Sequence, residues 1–271
     1  MEINKLEKLS NSIRKKVLEM SFDCGGTSHI GGGLSSVEIF AVLYGEILNF
    51  DVKNKNWDLR DRFILSKGHG VLPYFAALHL AGFFDEKVLK TYKTNDSHLI
   101  SHPIMNMELG IESSNGSLGH GLSMAIGIAM ASKKKNRKNN TFVLVGDGEC
   151  NEGSIWEAAM CASHYKLNNL FAIIDYNKYQ NDGHSDDILS SGDMVNKWKS
   201  FGWNTVEIDG HNLNELYNSL KQNEDLERPK AIVAHTIKGK GISFMENNNE
   251  WHHNRLTQKL FDEAINEIKN I

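Results

Sequence analysis

Two short apolar runs, TFVLV at residues 141–145 and LFAII at residues 170–174, bracket a stretch of helical spacing. Each run is long enough for a buried strand and too short for a helix. Gly146-Asp147-Gly148 breaks the first run, and Asp175-Tyr176-Asn177 closes the second. Between them, from Ser154, the apolar positions Ile155, Ala158, Ala159 and Ala162 predict a helix to about Tyr165. Two buried strands joined by a helix form a right-handed βαβ unit.

In sheets of this kind, ligands sit beyond the carboxyl ends of the strands. Asp147 and Asn177 both lie there, one after each strand. Asp147 offers a hard anionic oxygen and Asn177 a neutral carbonyl oxygen, donors that suit Mg²⁺ or Ca²⁺. Mg²⁺ is usually held by a few protein ligands together with phosphates and water. Gly146 and Gly148 let the backbone come close to a ligand. The next helix points its N-terminus at the same place, where free N–H groups attract an anion. These residues point to a metal-bridged diphosphate. A tight turn with an aspartate cap is the reading that GDG alone leaves open, and the later Asn favours the ligand.

The rest of the chain gives coarser signals. A chain of 271 residues can bury a core as one large α/β domain or two small ones. Only three prolines and no low-complexity linker argue for a single compact domain over residues 1–271. The net charge of −4 gives no reason to expect nucleic acid, and KKKNRK at 133–138 reads as a solvated loop. No run is long enough to span a membrane, and residues 1–16 are too polar for a signal peptide. Three cysteines without metal spacing suggest reduced thiols in the cytoplasm, with Cys150 incidental.

Leu6, Leu9, Ile13, Val17 and Leu18 predict an amphipathic helix over residues 3–20. Glycines 25, 26, 31, 32 and 33 predict a loop that holds His29. A helix over about 36–48 follows, capped by Ser35 or Ser36, with Glu38 in its first turn. Residues 63–65 read as a strand, SKGHG as the turn after it, and Tyr74, Leu78 and His79 as a helix. His98 and His102 flank LIS, but Pro103 disfavours helix at His102 and with it a zinc pair. Gly116, Gly119 and Gly121 surround Leu118 ahead of an Ala/Gly-rich helix. Residues 181–188 read as a polar loop, 204–209 and 230–236 as strands, 211–222 and 256–271 as helices. Lys238 and Lys240 could neutralise phosphate, but exposed lysines beside glycines usually do less.

GDG followed one strand later by Asn resembles the thiamine-diphosphate motif. With SHIGGGLS, DRFILSKGH, SHP, the G-x-L-G-x-G turn and EWH, the chain resembles transketolase over nearly its whole length. More specifically, it resembles the N-terminal subunit of a split transketolase. The fold this implies is α/β, a parallel sheet with helices on both faces. The implied cofactors are thiamine diphosphate and Mg²⁺, with Ca²⁺ or Mn²⁺ as substitutes. By the same resemblance, Asp147, Asn177 and the backbone carbonyl of Tyr179 hold the metal. Gly148, His69 and His252 lie at the diphosphate, and Gly116 and Leu118 line the aminopyrimidine site. His29, His102 and His252 face the sugar, and Glu152 joins a dimer interface and proton network. His120, Asn181 and His253 depart from the residues many relatives carry.

The resemblance also implies what this chain does not supply. In the family, a glutamate on a separate pyrimidine-binding domain activates the cofactor. The expected partner is therefore a C-terminal transketolase subunit carrying that domain, in an α₂β₂ heterotetramer acting on sugars or sugar phosphates. Deoxyxylulose-phosphate synthase and the 2-oxoacid dehydrogenase E1 α-subunit share GDG…N, but account less well for SKGHG, SLGHG and EWH together. A cofactor-binding subunit without turnover is the non-enzyme alternative.

Overall fold

The computed structural model describes residues 2–225 and 227–268. Its strands are β1 (Arg62–Leu65), β2 (Thr141–Gly146), β3 (Leu170–Tyr176), β4 (Asn204–Asp209) and β5 (Lys230–His235). All pair in parallel in one sheet of order β1-β2-β3-β5-β4. Successive residues of a strand point to opposite faces. Phe63, Phe142, Leu144, Phe171, Ile173 and Ile232 therefore enter one core, and Ile64, Val143, Val145, Ala172, Ile174 and Val233 the other. A sheet covered on both faces needs unbroken apolar strands, which is why TFVLV and LFAII show no alternation.

The first core is roofed by α1 (Ile3–Asp23), α2 (Ile30–Leu34), α3 (Val37–Val42), α4 (Val71–Leu80) and α5 (Glu86–Leu89). The second is closed by α6 (Gly121–Lys134) and α7 (Gly153–His164). After β3 come α8 (Ser185–Leu189) and α9 (Met194–Ser200), and α9 adds Met194 and Trp198 to the second core. The late helices α10 (Leu213–Leu220) and α11 (Gln258–Ile268) return to the first core. Among the described residues, no helix is long and apolar enough to cross a membrane.

Three local expectations need correction. Gly31, Gly32 and Gly33 are not loop but the body of α2. They are glycines for room: a Cβ on Gly31 would lie 2.7 Å from the Trp251 carbonyl oxygen. Neither Ser35 nor Ser36 caps α3. Ser36 Oγ donates to the Gly33 carbonyl (3.0 Å) and Ser35 Oγ to Asp175 Oδ2 (2.6 Å). α3 itself ends at Val42 and runs into a π-turn, Leu43–Ile47. The loop expected at 181–188 closes into α8, with Asp186 and Asp187 in its first turn, where acidic side chains favour a helix. Residues 269–271 of the expected closing helix lie outside the described residues.

Candidate functional site

The site begins beneath its ligands, with a buried ion pair. Lys67 follows β1 and Asp175 lies near the end of β3; both are almost wholly enclosed, 1% and 0% exposed at the side chain. Lys67 Nζ donates to Asp175 Oδ2 and, at 2.8 Å, to the Gly32 carbonyl. Asp175 also accepts from Ser35 Oγ (2.6 Å), from Thr236 Oγ1 and, at 3.3 Å, from Asn177 Nδ2. Burial pushes the Asp175 carboxyl up, but Lys67 and the two hydroxyls hold it below the usual carboxylate range. This one carboxylate ties α2, β1, β3 and the end of β5 together.

Asp147 and Asn177 stand over that floor, both buried. Asp147 accepts from the Gly148 N–H (2.8 Å), the Lys178 N–H (2.8 Å) and Ser185 Oγ (3.1 Å). Burial, then the nearby Asp175 charge, pushes its carboxyl up to about 6, the response of an anion that lacks a cation. Asn177 Oδ1 accepts from the Tyr179 N–H (3.0 Å). The Tyr179 carbonyl takes no hydrogen bond from a described residue. Among the described residues, no three His, Cys, Asp or Glu side chains are grouped to hold a metal. The available donors are oxygens of mixed charge, the set that a hard cation prefers and a soft one does not.

Two further observations fit a bound diphosphate. Gln180 Nε2 is buried with no hydrogen-bond partner, an orphan that a ligand oxygen would satisfy. Its side chain packs against Gly148, where a Cβ would come within 2.6 Å of Gln180 Cγ. Lys238, expected to be exposed, is instead 1% exposed. Its Nζ reaches His252 Nδ1 (2.8 Å), Asn249 Oδ1 (2.7 Å) and the Gln180 carbonyl (3.2 Å). Burial and the Lys67 charge lower its ammonium to about 7, with Asp147 and Asp175 opposing.

Lys238 joins this half of the site to a cluster of histidines. The His29 ring lies 5.4 Å from His69, 5.8 Å from His102, 5.5 Å from His252 and 4.4 Å from His253, centroid to centroid. His69 and His252 stack at 5.5 Å. Burial, reinforced by neighbouring positive groups, lowers His29 to about 4, His252 to about 3 and His69 well below its ordinary value. Burial alone lowers His102. These rings are thus neutral at pH 7, each able to give one hydrogen bond and take one. A cavity of about 630 Å³ opens beside them beyond β3, β4 and β5, lined by Asn177, Tyr179, His211, Thr236 and Lys240.

The structure brings His29, His69, His102 and His252 together and sets Asp147, Asn177, Tyr179 and Gly148 next to them. His102 packs on Gly116, where a Cβ would meet its ring at 3.6 Å. Leu118 is 36% exposed, and Glu152 is exposed beside Gly119. Sequence reading missed Glu149, which is buried. Its carboxylate accepts from Ser66 Oγ (2.5 Å), the Gly119 N–H (2.9 Å) and the Gly146 N–H (3.0 Å). Lys67 and Asp175 were also missed. An aspartate inside a fully apolar strand is the signal for such a pair, because a buried charge requires a partner.

The contact under α2 yields a test. Alanine in place of Gly31 meets the Trp251 backbone at 2.7 Å, and that backbone leads into His252. Alanine is the better helix former by about 1 kcal/mol, so intrinsic propensity favours the variant. Gly31→Ala is expected to lower stability by about 1–3 kcal/mol, read as the urea midpoint. A stabilised variant would mean the Trp251 segment moves freely.

Residues 7–270 match the family described as transketolase, thiamine diphosphate binding domain. One of the two subunits of apulose-4-phosphate transketolase from Actinobacillus succinogenes is 40% identical over 270 residues, covering 100% of this chain and 98% of that protein. 6-Deoxy-6-sulfo-D-fructose transketolase subunit SqwG of a Clostridium species is 40% identical over 267 residues, 97% of this chain and 96% of that one. The crystal structure of transketolase from Campylobacter jejuni superposes with a TM-score of 0.92 at 28% identity, over 99% of this chain but 43% of that longer one. This chain therefore belongs to the transketolase family, as an N-terminal subunit built on its thiamine diphosphate binding domain.

Proposed function

We propose that this subunit holds the diphosphate and metal of a two-chain transketolase. The enzyme moves a two-carbon ketol unit from a ketose donor to an aldose acceptor. The observation that supports this most is the meeting of Asp147, Asn177 and the histidine cluster around one buried Lys67–Asp175 pair. Asp147, Asn177 and the Tyr179 carbonyl are the donors for Mg²⁺, or for Ca²⁺ or Mn²⁺ in its place. Lys238, His69, His252, Gly148 and the orphan Gln180 amide face the diphosphate. Thiamine diphosphate, when bound, supplies the electron sink for breaking and forming the carbon–carbon bond.

The chain's own groups bind and move protons. His29, His102 and His252, neutral because they are buried, exchange hydrogen bonds with sugar hydroxyls. They can take up a hydroxyl proton as the carbonyl forms and return it as the acceptor is reduced to alcohol level. Gly116 and the exposed Leu118 form one wall for the aminopyrimidine, and the second subunit supplies the other. Glu152, exposed at the start of α7, faces that subunit in a heterotetramer. Both relatives are named for sugars that carry an acidic group, which supports an anionic ketose as donor.

The test is purification from native lysate with thiamine diphosphate and Mg²⁺, followed by an assay of the isolated assembly. A stoichiometric partner with a pyrimidine-domain sequence and ketol transfer from an anionic ketose are expected. Dialysis against EDTA should abolish transfer, and added Mg²⁺ should restore it. Pyruvate decarboxylation without ketose transfer would overturn the reading, as would full activity of the chain alone.

A further inference from the structure

A second buried ionic cluster lies outside the site and touches no residue assigned above to ligand binding. Arg14 on α1 is 4% exposed and Glu38 on α3 is 8% exposed. Arg14 Nη2 pairs with Glu38 Oε1, and Glu38 Oε2 meets His211 Nδ1 at 2.9 Å. His211 Nε2 accepts the Ile237 N–H at 2.9 Å. An accepting Nε2 leaves the ring proton on Nδ1, where it is donated to Glu38. Arg14 Nε also donates to the Lys240 carbonyl at 3.2 Å. At Gly241, which has φ +88°, a Cβ would come within 2.5 Å of Arg14 Nε.

The cluster thus grips the backbone on both sides of Lys238. The Ile237 N–H is held by His211 and the Lys240 carbonyl by Arg14, while the Gly239 N–H reaches the Gly31 carbonyl at 2.9 Å. Lys238 itself points the other way, into the site. A lysine side chain has several rotatable bonds and gains its hydrogen bonds only when its backbone is fixed.

We infer that His211, oriented by Glu38 and Arg14, is the positioning residue for Lys238, and through it sets affinity for the cofactor's diphosphate. This rests on the proposed function. His211 touches neither ligand nor metal donor in this scheme; it acts only by holding the Ile237 amide.

The test is a titration of the assembled enzyme with thiamine diphosphate in Mg²⁺, followed by intrinsic fluorescence. His211→Ala should weaken binding on the order of tenfold, as removal of an outer supporting partner does. His211→Gln offers one amide donor and one acceptor, and should restore most of the affinity. In a Lys238→Ala background, His211→Ala should change affinity by less than about twofold, because coupled positions are non-additive. If His211→Ala does not fold, Glu38→Gln takes its place in the same cycle. Equal losses in both backgrounds, or a lowered melting temperature with unchanged affinity, would overturn the inference. Failure of the unmutated assembly to bind the cofactor would instead remove the proposed function and this inference with it.

Discussion

Asp147→Ala is expected to abolish ketol transfer by the assembled enzyme and to weaken Mg²⁺ binding on the order of a hundredfold or more. The carboxylate is the only anionic oxygen in the proposed donor set. Its loss also strands the Gly148 N–H, the Lys178 N–H and the Ser185 hydroxyl, so alanine adds a stability cost of about 1–3 kcal/mol. Asp147→Asn separates the two effects, since it keeps an acceptor and removes the charge. In metal-free protein, the folded carboxyl titrates near 6, above its ordinary value, so the folded state holds the proton more tightly than the unfolded state. Its ionisation therefore opposes folding, and the penalty grows as pH rises through about 6. Asn should lose Mg²⁺ affinity while matching or exceeding the stability of the metal-free parent at pH 8. Metal binding unchanged in both variants, measured by calorimetry, would remove Asp147 from the donor set.

Lys67→Met should be the most damaging single change to the fold at this end of the sheet. Methionine fills much of the same volume, so the loss is electrostatic. It leaves Asp175, fully enclosed, with hydroxyl and amide donors but no cation. Breaking one side of a buried pair costs about 3–5 kcal/mol. The double variant Lys67→Met with Asp175→Asn removes both charges and should recover most of that stability. Additive losses, measured by urea unfolding, would mean that the pair stabilises the fold outright. The double variant should still bind cofactor poorly, because the Gly32 carbonyl loses its donor and α2 follows directly on His29.

The strands were legible because a sheet covered on both faces leaves an unbroken apolar run. The βαβ unit around Asp147 follows the sequence closely, from Thr141 to Tyr176. Elements shaped by tertiary contact were less legible. Nothing local distinguishes Gly31, Gly32 and Gly33 from a flexible loop; the Trp251 backbone that needs the missing Cβ of Gly31 is distant in sequence. Lys238 looks like a surface lysine until the residues 249–252 segment folds over it. The histidines were found through the motifs around them, since a loop histidine on its own carries little information. Glu149 and Asp175 went unread because their partners come from segments far apart in the chain, and no single stretch contains enough of them.

The Glu149 carboxylate accepts bonds from the turn after β1, the end of β2 and the turn before α6. Those three segments carry Lys67, Asp147 and Leu118. They cannot relax independently, because moving any one strains an acceptor shared with the others. A push on the exposed Leu118 is therefore transmitted to the metal donor's loop within a single bonded unit. The rim of the site and its floor respond to load as one stiff bracket rather than as separate flaps.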